Sequence, residues 1–360
     1  MFKKIAIKTG VLTTVFILAV IVSSYVTNRG NTDMSADMGG ATLPRISFTT
    51  EGYEVNSLPG YKSDMTLTSM RDTLTPVTNN QLDMNIAKYD NQIQKVYWQV
   101  YTLNGKKCIQ EGTIKDVQDT VTLNFKNTKV LKEERILKVT LYLDNQNIYF
   151  YTRIKNSADC NYKKSLDFAN DFHNAALENQ GDKVESYLET DSSEDSSTYQ
   201  EVTLASTQSQ VTWGSLAPQV SGNVYWEIKE CNENYTSLVL KYQVKCTGDT
   251  DYADRLYSVK EFFRIRTGED AQQYLLDYDR TMNQRFDGKT TALNQKGVLV
   301  GIAPTDLEYE TNTDGTIVAF IEDNQLWHYD KKEDECHWYS ASQMRKTWMC
   351  VHYATCMISA

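Results

Sequence analysis

Between Leu43 and Lys155 apolar residues alternate with polar ones, and that period of two commits the stretch to β-strands. The runs are Leu82-Met84-Ile86, Val96-Trp98-Val100, Val121-Leu123-Phe125 and Leu137-Val139-Leu141-Leu143. Residues two apart share one face of a strand, so each run offers an apolar face to a core and a polar face to water. Two turns join the runs. Leu103-Asn104-Gly105-Lys106 is a tight-hairpin signature, because Asn-Gly accepts two positive φ angles, and it sets Val100 opposite Ile109. Asp144 to Asn147 folds ILKVTLYL back against IYFYTRI.

Short strands at this spacing predict an all-β sandwich over residues 43–158 that resembles the immunoglobulin-like architecture. No Cys and Trp stand at the spacing of antibody domains, so the likeness is one of architecture. The pattern then changes. Leu166, Ala169, Phe172 and Ala176 recur at three- and four-residue steps, the stripe of an amphipathic helix, and a second short helix follows Gly181 over Asp182 to Leu188. A polar loop, TDSSEDSST at 190–198, leads into strands expected over Tyr199–Trp213, Val224–Cys231, Thr236–Lys245 and Leu256–Arg266. A last helix is expected after Thr267, with Tyr274, Tyr278, Met282 and Phe286 on one stripe and Gly288 at its end. Residues 159–290 therefore read as an α+β domain. Its opening resembles the cone-shaped nuclear transport factor 2-like fold, which implies a sheet enclosing a pocket, although the last helix departs from that family's order. Residues 291–342 carry the strands TIVAFI, QLWHY and ECHWY, a β-meander resembling one blade of a propeller.

The start of the chain decides where such a body sits. Lys3, Lys4 and Lys8 (residues 1–8, a basic tail) precede an uncharged run over residues 9–28 that is long enough to span a membrane. A cleaved signal peptide is the alternative, but Tyr25 and Val26 extend the apolar run past the weak small-residue site at Val22 and Ser24. The lysines place the N-terminus in the cytoplasm and the body outside. Residues 29–42, small and polar with Gly39-Gly40, read as a tether.

Past residue 28 the chain holds 34 basic and 47 acidic residues, a net charge of −13 that argues against nucleic acid as a partner. The expected partners are the membrane, through the N-terminal helix, and a protein or glycan of the cell envelope. Seven cysteines, at 108, 160, 231, 246, 336, 350 and 356, are an odd number outside a cell. Cys231 and Cys246 sit at opposite ends of an expected hairpin, too far apart for a disulfide.

Chemical motifs are few. There is no nucleophile elbow, no zinc-protease helix, no phosphate loop and no dinucleotide fingerprint. No catalytic residue and no cofactor is therefore assigned. Asp249, Asp251 and Asp254 form a D-x-D-x-x-D turn with oxygen ligands for calcium, but without the Gly and closing Glu of a calcium loop, and a solvated turn is the preferred reading. Cys350 and His352, with Cys336, His337 and Cys356 nearby, offer sulfur and nitrogen for zinc at no common spacing. They fall near or within residues 343–360, which carry three of the ten Met and no acid, a compositional break expected of an out-of-frame or misassembled end. His173 lies beside Phe172 and reads as a core histidine before a general base. The tyrosines invite a sugar-stacking role, but most fall at alternating strand positions and read as packing.

The layout resembles single-pass, anchored cell-envelope proteins of Gram-positive bacteria in which a stalk precedes a propeller. The resemblance implies a binding or scaffolding role. An envelope-polymer enzyme using a pocket in the α+β domain and an extracytoplasmic sensor are the alternatives.

Overall fold

A computed structural model describes residues 12–20, 22–23, 43–126, 131–190, 198–248, 255–285, 293–294, 297–298, 309–322, 325–332 and 335–339. They are mostly β-sheet with few helices, and the chain divides into two compact units. One holds residues 39–285 and 301–306; the other holds 1–38, 286–300 and 307–360.

In the first unit the chain runs β1 (Arg45–Thr50), β2 (Tyr53–Leu58), β3 (Leu74–Val77), β4 (Gln81–Ala87), β5 (Ile93–Thr102), β6 (Cys108–Ile114), β7 (Thr120–Asn124), β8 (Arg135–Leu143) and β9 (Asn147–Asn156). Helices α1 (Tyr162–Leu177) and α2 (Gly181–Val184), strand β10 (Glu201–Thr203) and helix α3 (Gln208–Val211) follow. The unit closes with β11 (Pro218–Cys231), β12 (Thr236–Cys246), β13 (Leu256–Thr267) and β14 (Gln273–Gln284). The alternation explains the strands: Val96, Val100, Leu137 and Leu141 are fully buried, and Trp98 packs edge-on against Phe125 with ring centroids 5.3 Å apart.

Five strands pair as β3-β9-β8-β5-β6, and nine as β10-β14-β13-β12-β11-β2-β1-β4-β7. The larger sheet combines strands from before residue 125 with strands from after residue 200. The join is a parallel contact of β2 with β11, at Trp226 opposite Val55. Asn56 secures it. Fully buried and at φ +53°, its amide donates to Leu74 O at 3.0 Å and Thr75 Oγ1 at 2.8 Å, and its oxygen accepts from Ile228 N–H at 2.9 Å. One short side chain thus ties both sheets together, and Asn tolerates the left-handed backbone this needs. Arg153 adds a second tie, pairing with Glu134 at 2.8 Å and donating to Lys229 O.

Helix α1 lies against β12, β13 and β14, with Leu166, Ala169, Phe172 and Ala176 buried. Its start is fixed to the early strands by Tyr162 with Thr50 at 2.8 Å and by Tyr53 donating to Asp167 at 2.8 Å. It ends in a Schellman turn: Asn179 takes φ +56°, its N–H reaches Ala176 O at 3.2 Å, and Gln180 N–H reaches Ala175 O at 2.8 Å.

Three expectations are corrected. The helix after Thr267 is strand β14, antiparallel to β13 from Tyr257–Gln284 to Thr267–Gln273. A four-residue spacing is also a multiple of two, so Tyr278 and Met282 share a strand face as readily as a helix stripe. The strand over Tyr199–Trp213 shrinks to β10 because Thr207 and Gln210 form a capping box that starts α3. A bulge after Val100 puts that residue opposite Gln110, with Tyr101 opposite Cys108. The spanning helix expected over residues 9–28 is not supported: among the described residues no helix is long and apolar enough to cross a membrane. Residues 12–20 and 22–23 are helical, whereas the rest of the expected span lies outside the described residues.

The second unit contains a two-stranded pair, β15 (Leu293–Asn294) with β16 (Gly297–Val298). It also contains an antiparallel meander in the order β17 (Tyr309–Thr311), β18 (Ile317–Glu322), β19 (Gln325–Asp330) and β20 (Glu335–Tyr339). Among its described side chains, Phe320, Trp327 and Tyr329 are buried.

Candidate functional site

Two turns of the first unit face each other across a cleft of about 1040 Å³. The Schellman turn and α2 contribute Asn179, Gln180, Gly181, Asp182 and Lys183; α3 and its exit contribute Gln208, Ser209, Thr212, Gly214 and Ser215, with Tyr199 alongside. Two of these positions are glycines, and at Gly214 the backbone itself disfavours any other residue. A Cβ on Gly181 would overlap the Gln208 amide, and one on Gly214, at φ +48°, would overlap the Tyr199 hydroxyl.

The α3 side is held rigidly despite its short helix. Thr207 Oγ1 accepts from Gln210 N–H at 3.3 Å, and the Gln210 side chain accepts from Thr207 N–H at 2.9 Å. At the other end Arg280 reaches in from β14 and donates to Gln210 O and Val211 O, both at 2.7 Å, capping the carbonyls that a helix end leaves unpaired. Its guanidinium also lies 3.9 Å from the ring centre of Trp213. Trp213 is fully buried at φ +66°, a conformation that costs a bulky residue about 1–3 kcal/mol and persists only where its surroundings enforce it.

Behind Arg280 lies a buried polar cluster. Glu261 on β13 stands directly opposite Arg280 in register, and both have no exposed surface. Tyr242 donates to Glu261 Oε1 at 2.5 Å, and His173 Nδ1 lies 3.2 Å from the same oxygen. Burial pushes the Glu261 carboxyl up, but His173, Arg280 and the Tyr242 hydroxyl outweigh it and hold the group below its ordinary value. Burial first, then the Glu261 charge, pushes the Tyr242 and Tyr278 hydroxyls well above theirs. The cluster fixes the frame of the cleft from behind without opening into it.

His173 is therefore 4% exposed and hydrogen-bonded, and it does not line this cleft. Two smaller cavities, of about 380 and 220 Å³, lie near Arg45, Glu54 and Tyr225 and also exclude it. Asp249, Asp251 and Asp254, and likewise Cys350 and His352, lie outside the described residues. Among the described residues no group of three or more His, Cys, Asp or Glu could hold a metal ion. Cys231 and Cys246 pair in register with Thr236 and Pro218, at opposite ends of the β11–β12 hairpin.

The cleft and its supports leave few local marks in the sequence. The Thr207-x-x-Gln210 box is a legible helix start, and Glu261 interrupts an inward run of Tyr257, Val259, Phe263 and Ile265. Arg280 was hidden by the helical reading of its segment, because on a Tyr274–Tyr278–Met282 stripe it faces away, whereas on a strand it sits inward between Tyr278 and Met282.

The lining is dominated by uncharged donors and acceptors: three amides and four hydroxyls, against one carboxylate and one ammonium. Such a surface binds by hydrogen bonding. No family model and no curated protein matches the chain. Among solved structures it is similar to a polysaccharide deacetylase from Bacillus cereus, at 13% identity over 22% of this chain, with a TM-score of 0.19. The chain spans 28% of that protein's length, and at this score the likeness carries no weight for fold or activity.

Proposed function

We propose that this chain is a membrane-anchored, extracytoplasmic binding module of a cell envelope, and that the cleft between α2 and α3 takes a neutral, hydroxyl- and amide-rich partner, a glycan strand first. The observation that carries the reading is the cleft's lining, in which Asn179, Gln180, Gln208, Ser209 and Ser215 offer hydrogen bonds from two rigid turns and Tyr199 offers a ring. Preorganised donors and acceptors on a fixed frame lose little entropy on binding. The net charge of −13 beyond residue 28 supports a partner other than nucleic acid.

Anchoring is supported by the N-terminal side chains. Leu12, Val15, Phe16, Ile17, Leu18, Val20 and Val22 are each 50–76% exposed, and a contiguous apolar surface of that kind needs a partner or a lipid phase. The meander of β17 to β20 serves as a blade-like module. The helix pair on β11 to β14 supports the likeness to nuclear transport factor 2-like domains, since β14 removes the one element that departed from that order. The enzyme reading loses its best candidate base, because His173 is packed against Glu261 and Tyr242.

The test is thermal denaturation of the detergent-solubilised full chain with muropeptides and with chitooligosaccharides. A ligand-dependent rise in Tm that Ser209→Trp, a change at an exposed lining residue, abolishes is expected. No rise with either set removes the glycan reading. Location is read separately, by labelling the exposed Cys108 in intact cells with a membrane-impermeant maleimide. Failure of that label while lysed cells react overturns the extracytoplasmic placement.

A further inference from the structure

We propose that Cys160 and Cys231 form an oxidisable pair that closes into a disulfide around the cleft-bearing segment. Cys160 precedes α1 and Cys231 ends β11, 71 positions apart in sequence. The Cys160 thiol donates to the Cys231 carbonyl at 3.5 Å, which sets its sulfur against the residue that carries the second thiol. A disulfide needs Cα atoms about 4.4–6.8 Å apart, and the sulfur-to-carbonyl contact sets the two residues side by side.

The other described cysteines of this unit are out of reach. Cys246 stands at the far end of the β11–β12 hairpin, opposite Pro218, and Cys108 lies on β6 in the five-stranded sheet. Exposure assigns the order of events. Cys231 is 2% exposed and also touches Thr236 Oγ1 at 3.6 Å, whereas Cys160 is only partly buried and is the sulfur a reagent meets first.

The chemistry is thiol–disulfide exchange with a disulfide-containing oxidant, either a small disulfide or an exported oxidoreductase. The Cys160 thiolate attacks one sulfur of the oxidant, forming a mixed disulfide and expelling one thiolate, which takes up the proton Cys160 has lost. Cys231 sulfur then attacks Cys160 Sγ, expels the second thiolate and passes on its own proton. Two protein thiols are oxidised to one disulfide, and one oxidant disulfide is reduced to two thiols. Neighbouring groups delay the second step until the first has occurred: the hydrogen bond from Cys160 and then burial push the Cys231 thiol far above its ordinary value, and the mixed disulfide removes that first restraint.

The closed loop contains α1, α2, β10 and α3, and so every residue lining the cleft. Cross-linking its ends shrinks the unfolded ensemble without touching the lining.

The experiment uses the reduced full chain in detergent, incubated with oxidised glutathione, alkylated and peptide-mapped. A Cys160–Cys231 cross-linked peptide is expected, with Tm raised by roughly 5–15 °C and restored by reductant. Cys160→Ser should lose both the cross-link and the rise. Cys160 still alkylatable after oxidation, a persistent glutathione adduct on Cys160, or Cys231 linked to another cysteine overturns the proposal. Because the wild-type peptide map stands alone, a misfolded variant does not rescue a negative result.

Discussion

Buried polar residues carry more of this architecture than their number suggests, and Asn56 and Glu261 show why. Removing the Asn56 side chain strands the Ile228 N–H and leaves a non-glycine residue without a carboxamide at φ +53°. An unpaired buried donor costs about 1–3 kcal/mol, so Asn56→Ala should lower stability by about 2–4 kcal/mol in urea denaturation. Glu261→Gln should cost about 3–5 kcal/mol at pH 7, since it leaves Arg280 buried opposite a neutral group. The same carboxyl predicts a pH dependence. Its folded value lies below the unfolded one of about 4.3, so its contribution is present above that pH and is lost as pH falls through the folded value. Wild type should therefore lose stability on acidification below about pH 5 more steeply than Glu261→Gln. Parallel urea curves for the two proteins between pH 6 and pH 3 would sink this assignment.

At the scale of elements, α1 is the best-specified piece of the first unit. Its apolar stripe was legible because three- and four-residue steps were filled by Leu166, Ala169, Phe172 and Ala176, all buried against the sheet. Phe172 meets Phe263, Tyr278 and Tyr187 with ring centroids 5.0–6.2 Å apart. Phe172→Ala should therefore cost about 3–5 kcal/mol, read as a lower urea midpoint at unchanged slope. A loss under 1 kcal/mol would mean that α1 is not seated on β13 and β14 in solution. Strand β14 was illegible for an equally physical reason. Its aromatics stand four apart, a spacing that fits one helix stripe and one strand face alike, and only pairing with β13 and β10 selects the strand.

The whole first unit carries one hydrophobic core, with residues of both sheets and α1 in a single cluster. Because the nine-stranded sheet runs unbroken from β10 to β7, the strands before residue 125 and after residue 200 should unfold together. Hydrogen exchange of the full chain should give β5, β8, β12 and β13 the same opening free energy within about 1 kcal/mol. Separate opening of the early strands would contradict a shared core. Asn56→Ala should be the change that uncouples them, since Asn56 bonds β3 and β11 from β2.

By itself the sequence determined where strands alternate, where α1 turns its apolar stripe, and that the body is acidic. Those properties are local: a period of two or of three to four is written in neighbouring residues and needs no distant partner to be read. Tertiary structure alone decided that β2 meets β11, that residues 273–284 pair as a strand, that Arg280 caps α3, and that the turns at 179–183 and 208–215 face one another across a cleft. Each of these joins residues far apart in sequence. Such contacts depend on which of several locally acceptable conformations can satisfy its hydrogen bonds and bury its apolar face at once, and that choice is made only when the chain closes on itself.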